Sequence, residues 1–265
     1  MHYEGHMIRP PSEAYSILLQ ATVGCSHNKC TFCGAYKGER FKIKPDEIID
    51  ADIAFAAAHC RHQRRLFICD GDALIIPQKR LLRILQSIRQ RLPWVTRVGV
   101  YANTKSIRMK SAEELATLHA NGLGIAYMGV ESGDDSTLAA VRKGANAQGM
   151  IDAGRKLRQA GIKLSTTVLL GVAGVQRSMV HAQETGRVIS AIDPEYVGAL
   201  SLMLIPGTAL YDDYQAWRFE LLSPEAMLQE LGIMIAYTEM SGGLFHANHA
   251  SNYLPLKLNM PADKA

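Results

Sequence analysis

The chain has 265 residues, 48% of them hydrophobic and 20% charged, which is ordinary globular usage and ample length for one large α/β domain. Its 29 basic and 25 acidic residues leave a net charge of +4, too small and too scattered along the chain to establish a nucleic-acid partner. Five cysteines with no apolar leader argue against a disulfide framework, and no run of about 18 apolar residues suggests a membrane span, so the sequence reads as cytoplasmic.

In chain order, one theme repeats: a short apolar strand, a loop, then an amphipathic helix. Strands are expected at Ser16–Ala21, Leu66–Cys69, Arg97–Tyr101, Ile125–Val130, Lys163–Leu170 and Tyr196–Leu204. Most are continuous apolar runs, as parallel strands covered on both faces require. Between them, Pro45 with Asp46 and Glu47 opens one helix, and Leu81, Leu82, Leu85, Ile88 and Leu92 mark the buried stripe of another. Ser111 with Glu114 forms a capping box, and Gly122 and Gly161 each follow a helix as stop signals. Ser223–Pro224–Glu225 starts a late helix carrying Met227, Leu228, Leu231 and Ile235. Six strands alternating with helices imply a parallel sheet with right-handed crossovers, either doubly wound or a full or partial barrel. In both arrangements, ligands collect at the C-terminal ends of the strands.

Directly after the first strand come Cys25, Cys30 and Cys33, three thiols within nine residues. Thiolates bind iron strongly, and a short loop can place three sulfurs on one face of a cubane cluster. Three ligands leave one iron open to a small molecule. The alternative is zinc with His27 as a fourth ligand, although the second pair of a zinc knuckle is missing. Cys60 and Cys69 read as packed thiols.

The stretch Cys30–Thr31–Phe32–Cys33 resembles the radical S-adenosylmethionine (SAM) superfamily signature, C-x3-C-x2-C with an aromatic before the last cysteine; here the first gap is four residues. The resemblance runs from about Tyr15 to Leu210 and is nearest the branch containing anaerobic coproporphyrinogen oxidase and the methylthiotransferases. It implies a partial (β/α)6 TIM-type barrel over 15–210, an N-terminal extension over 1–14 and a C-terminal region, 211–265, that closes the barrel. It also implies a [4Fe–4S] cluster on the three cysteines and reductive cleavage of SAM to a 5′-deoxyadenosyl radical that abstracts hydrogen.

By the same resemblance, Asp70–Gly71–Asp72 corresponds to a Gly-Gly-Glu motif that receives the SAM ammonium. Asn103 corresponds to a ribose contact, though a capping role fits it equally. Glu131 ends the fourth strand where the ribose or amino-acid part is touched, or else caps the next helix. Lys143, with Arg142 beside it, corresponds to the cation that meets the SAM carboxylate. The backbone of Phe32 corresponds to an adenine contact. An electron donor such as flavodoxin or ferredoxin follows from the chemistry.

The polar segment from His246 to Tyr253 carries two histidines and two asparagines after the last core strand. His246, His249 and Tyr253 are candidate catalytic residues for a small polar substrate, against the plainer reading of a solvated terminal strand. No second cysteine cluster, RNA-binding domain or cobalamin-binding domain is visible. A non-catalytic iron–sulfur carrier or sensor and a zinc-stabilised binding protein are the competing functions.

Overall fold

The computed structural model describes residues 1–264. From the N-terminus, a short strand β1 (Ile17–Leu19) leads to a two-residue strand β2 (Thr22–Val23), which pairs antiparallel with β3 (Lys42–Ile43). Helix α1 (Asp46–His59) begins right after Pro45, whose missing N–H costs nothing at a helix start, and Asp46 and Glu47 sit in its first turn. Strand β4 (Arg65–Ile68) and helix α2 (Gln78–Arg91) follow. The buried face of α2 is Leu81, Ile84, Leu85 and Ile88, spaced by one helical turn.

Strand β5 (Arg97–Ala102) runs into the short helix α3 (Thr104–Arg108), and α4 (Ala112–Ala120) starts on the Ser111–Glu114 capping box that its sequence predicts. Next come β6 (Leu123–Glu131), α5 (Asp135–Ala140), α6 (Ala147–Gln159), β7 (Lys163–Leu170), α7 (Gly174–Ile192) and β8 (Tyr196–Ser201). Helices α8 (Ala209–Gln215) and α9 (Pro224–Ala236), then strands β9 (Gly243–His246) and β10 (Lys257–Met260), complete the chain.

The main sheet has the order β1-β4-β5-β6-β7-β8-β9-β10. Strands β1, β4 and β5 are parallel, as are β7, β8 and β9, and β10 joins antiparallel. Parallel neighbours need long crossovers, and the helices supply them. The fold is therefore α/β with a mostly parallel sheet, of the partial-barrel type; among the described residues the strands form no closed ring, with β1 and β10 at the two ends.

Contacts group the chain into two compact units: residues 1–28, 35–127 and 156–163 in the first, and 29–34, 128–155 and 164–265 in the second. The first unit holds β1 to β5 and a core of Ile49, Ile53, Leu66, Ile68, Leu81 and Leu85. In it, Glu13 is buried, accepts from Tyr127 Oη at 2.6 Å and pairs with Arg97. The second holds β7 to β10, and Phe32 packs on a cluster of Val141, Leu169, Val172, Leu202 and Leu210.

Two expectations need adjustment. The strand expected over Ser16–Ala21 is shorter, Ile17–Leu19, and the two-residue β2 follows beyond its expected end. The face of α9 is rotated from the expected stripe: Leu228 is exposed, and Glu230 is buried in line with Met227, Leu231 and Met234.

Candidate functional site

In the first unit, Cys25 is partly exposed on the loop after β2. The turn following β4 closes onto that loop through Gly71 N–H donating to Gly24 O at 3.1 Å. A Cβ on Gly71 would stand 2.7 Å from the Cys25 Cβ and 3.0 Å from the Tyr36 ring, so only glycine fits. On either side of it, Asp70 and Asp72 are fully buried.

Asp70 Oδ2 accepts from Gln20 Nε2 at 2.8 Å, and Asp70 Oδ1 accepts from Tyr36 Oη at 3.3 Å. Asp72 differs. Its Oδ2 accepts from Ser26 Oγ and from Asn103 Nδ2 at 2.8 Å; its Oδ1 completes no hydrogen bond among the described residues, although the Ser106 hydroxyl and the Asn103 N–H are close enough to stabilise the charged carboxylate. Burial raises the pKa of both carboxyls, and the donors on each oppose that rise. An unfilled acceptor buried at a strand end is costly unless a ligand donor completes it. Asn103 is also a helix cap: its side chain accepts from Ser106 N–H at 2.9 Å in a reciprocal box that starts α3. Of the two readings from sequence, the structure shows the cap, while the amide nitrogen is bonded to Asp72 and to Ser26 Oγ.

In the second unit, the segment 29–34 is anchored at both sides of Thr31, whose N–H donates to Val141 O and whose carbonyl accepts from Leu210 N–H, each at 3.0 Å. Phe32 thereby enters the apolar cluster, and Cys30 and Cys33 flank this anchor, both partly exposed. At the end of β6, Glu131 has a left-handed backbone with φ 63° and pairs with Lys143 Nζ at 2.9 Å. Gly129 makes room for this pair, since a Cβ there would meet Glu131 Oε1 at 2.1 Å. Glu131 does not cap the next helix; Asp134 does, accepting from Thr137 N–H, and it also takes a two-bond contact from Arg177 at 2.8 and 2.9 Å. That guanidinium holds the Asp134 carboxyl far below the usual carboxylate range. Arg142 is exposed, again with a left-handed backbone, φ 53°.

Beyond Asp134 lies a buried polar group that the sequence did not advertise. Ser132 Oγ accepts Asp134 N–H at 3.0 Å and lies 2.8 Å from His181 Nδ1. His181 Nε2 is 3.5 Å from Glu230 Oε1. Glu230 in turn accepts the Gly171 N–H at 2.6 Å and the Ser178 hydroxyl. Burial pushes Glu230 up to about 7 and His181 down to about 4, so both favour the neutral form.

The polar C-terminal segment is partly a sheet edge. His246 ends β9, with its Nε2 buried and unpartnered among the described residues. His249 Nδ1 meets Ser251 Oγ at 2.8 Å, and Asn252 accepts from the Ser201 hydroxyl at 2.9 Å while donating to Ala199 O at 2.8 Å. These bonds bring Ser251 and Asn252 to the C-terminal end of β8. Tyr253 is exposed, 54% accessible.

Among the described residues, no three His, Cys, Asp or Glu side chains are already drawn together as a metal site. The donor chemistry nevertheless fits an iron–sulfur cluster: three partly exposed thiols within one short polar loop. Ligand loops commonly reach their final arrangement only with the metal in place. The orphan Asp72 Oδ1 fits a cationic co-ligand. A cavity of about 270 Å³ lies elsewhere, lined by Arg89, Arg97 and His119 at the start of β5, opposite to where strand-end chemistry collects.

A family model for the radical SAM superfamily matches residues 19–182, more than half of the sequence, and the chain belongs to that superfamily. Its members are enzymes that use a [4Fe–4S] cluster and SAM for radical chemistry. The fold is similar to that of methylornithine synthase (PylB), at 17% identity and TM-score 0.59, covering 85% of this chain and 63% of that one. It is also similar to coproporphyrinogen III oxidase (HemN) from Escherichia coli, at 15% identity and TM-score 0.60, covering 84% and 51%. A third similar structure is the radical SAM methyltransferase TsrM from Kitasatospora setae with cobalamin and a [4Fe–4S] cluster bound, at 17% identity and TM-score 0.58, covering 89% and 43%. The chain thus spans less than two thirds of the length of each. No curated protein sequence matches it. Among the described residues no helix is long and apolar enough to cross a membrane.

Proposed function

We propose that this chain cleaves SAM reductively and directs the resulting radical at a small polar metabolite, with residues 15–210 as the catalytic core and 211–265 shaping the substrate side. Cys25, Cys30 and Cys33 would hold the [4Fe–4S] cluster, which, once loaded, supplies the one-electron chemistry that breaks SAM. The observation that carries this reading is the unfilled, buried Asp72 Oδ1, in a turn whose Gly71 abuts Cys25. A buried carboxylate oxygen with no donor is completed by an ammonium, and SAM brings one.

The other residues divide the remainder of the cofactor. Asn103 fixes Asp72 and borders the ribose, Phe32 offers its backbone to the adenine, and Lys143 offers its ammonium to the SAM carboxylate once Glu131 yields it. Arg142 adds positive charge beside that site. His246, on β9, and His249, bonded to Ser251, move protons on the substrate, and Tyr253 covers the open side. A flavodoxin- or ferredoxin-type donor in the cytoplasm would supply the electron.

Anaerobic purification tests this directly. A brown protein with about four irons and four sulfides, forming 5′-deoxyadenosine from SAM and dithionite, is the expected result. A colourless zinc protein would remove the proposal, and a cluster that never cleaves SAM would leave an electron carrier in its place.

A further inference from the structure

The residue that most families of this kind would be expected to fill with glycine is here Asp70, and its backbone explains the substitution: φ is 73°, in the left-handed region where aspartate is tolerated but not favoured. A plain substitute for glycine would be left with an idle side chain. Instead the Asp70 carboxylate is fully buried and takes a donor on each oxygen, Gln20 on Oδ2 and Tyr36 on Oδ1. With both oxygens engaged, it is poorly placed to receive a ligand ammonium itself.

Gln20 carries the arrangement further. Its Nε2 also donates to Glu4 O at 2.8 Å, and its Oε1 accepts Glu4 N–H at 2.8 Å and Lys44 Nζ at 3.4 Å. Lys44 is fully buried and donates also to His2 O. A buried cation, an amide and a buried anion thus form one chain, Lys44–Gln20–Asp70, charge-balanced across its length and stitched to the backbone of residues 2–4. Buried charges are retained only when paired and bonded in this manner.

We infer that Asp70 is a positioning residue for the SAM ammonium site: with Tyr36 and the Lys44–Gln20 relay it holds the strained turn so that Asp72 keeps one oxygen unfilled, and it makes the segment His2–Glu4 part of that support. The inference rests on the reading that Asp72 receives the ammonium.

The test compares Asp72→Asn, Asp70→Gly, Asp70→Asn and Tyr36→Phe in the anaerobically reconstituted full chain, by SAM dissociation constant, iron content and urea midpoint. Asp70→Gly relieves the backbone but deletes both bonds, and is expected to weaken SAM binding about tenfold with iron retained. Tyr36→Phe, losing one bond, should weaken it about threefold. Asp70→Asn tolerates the same backbone and keeps one acceptor, so it should recover part of the loss. SAM affinity at the original level in both Asp70→Gly and Tyr36→Phe, with Asp72→Asn impaired, overturns the positioning role and leaves Asp70 as a glycine surrogate. Full affinity in Asp72→Asn overturns the underlying ammonium assignment instead. Should Asp70→Gly lose its fold, as urea midpoint and iron would reveal, Tyr36→Phe still decides.

Discussion

At the end of β4, the carboxylates of Asp70 and Asp72 are buried and bonded by uncharged donors, whereas at the end of β6 Glu131 answers a lysine directly, the two side chains 13% and 14% accessible. The first arrangement is built before any ligand arrives and leaves a specific vacancy. The second is satisfied already and must open to be used. A buried unpaired acceptor is expensive to leave empty, whereas an ion pair already made offsets its own desolvation. On the proposed reading, the β4 turn carries binding energy, while the β6 pair is a contact that exchanges one carboxylate for another.

The largest effect that would break this comparison is at Asp72. Asp72→Ala is expected to weaken SAM about a hundredfold by titration, with iron content retained, because the ammonium loses its only buried charge partner there. Next, Lys143→Ala should weaken SAM by about tenfold or less. An equal loss at both positions would erase the distinction between prebuilt and exchangeable contacts. Gly129→Ala sharpens it further: the added methyl displaces the flexible tips of Glu131 and Lys143, and SAM affinity should shift by about threefold at most, since such tips move cheaply.

A further effect concerns pH and is read in stability, not in SAM affinity. His181, lowered to about 4, stabilises the fold above its ordinary range and loses that contribution as pH falls from 6.5 toward 4. Glu230, raised to about 7, contributes in the opposite sense, with stability lost as pH rises from 4.5 toward 7. The two slopes offset each other between 4.5 and 6.5. Glu230→Gln removes one of them, so urea midpoints should then rise with pH between 4 and 6.5, with a slope of up to about 1.4 kcal/mol per unit. A flat profile in that variant would show that His181 does not titrate in this window.

Much of this was legible in the sequence, where local chemistry decides structure. The strand over Lys163–Leu170 matches its apolar run residue for residue, and Ser111, Pro224 and Asn103 begin helices as their side chains dictate. The cysteine spacing and the strand-end triplet drew attention to the segments that the family match then covered. What stayed hidden depended on partners far apart in sequence. Lys44 and Gln20 look like surface residues until β1, β3 and the first four residues converge on them. Glu230 interrupts an otherwise apolar helix face, and its bonds from the Ser178 hydroxyl and the Gly171 amide, 59 residues earlier, explain why it is inside. Hydropathy averages over such positions, so a buried carboxylate with a distant donor leaves no periodic trace.

That last bond bears on what can be cut from this protein. Gly171 lies inside the family-matching segment, 19–182, and Glu230 lies well outside it. A fragment ending at 182 would strip the Gly171 amide and the Ser178 hydroxyl of their acceptor and bare the face of α7 that α9 covers. The stretch by which the family is recognised is therefore expected to fold poorly without α9, and slow amide exchange at Gly171 would be a direct gauge of whether α9 is docked.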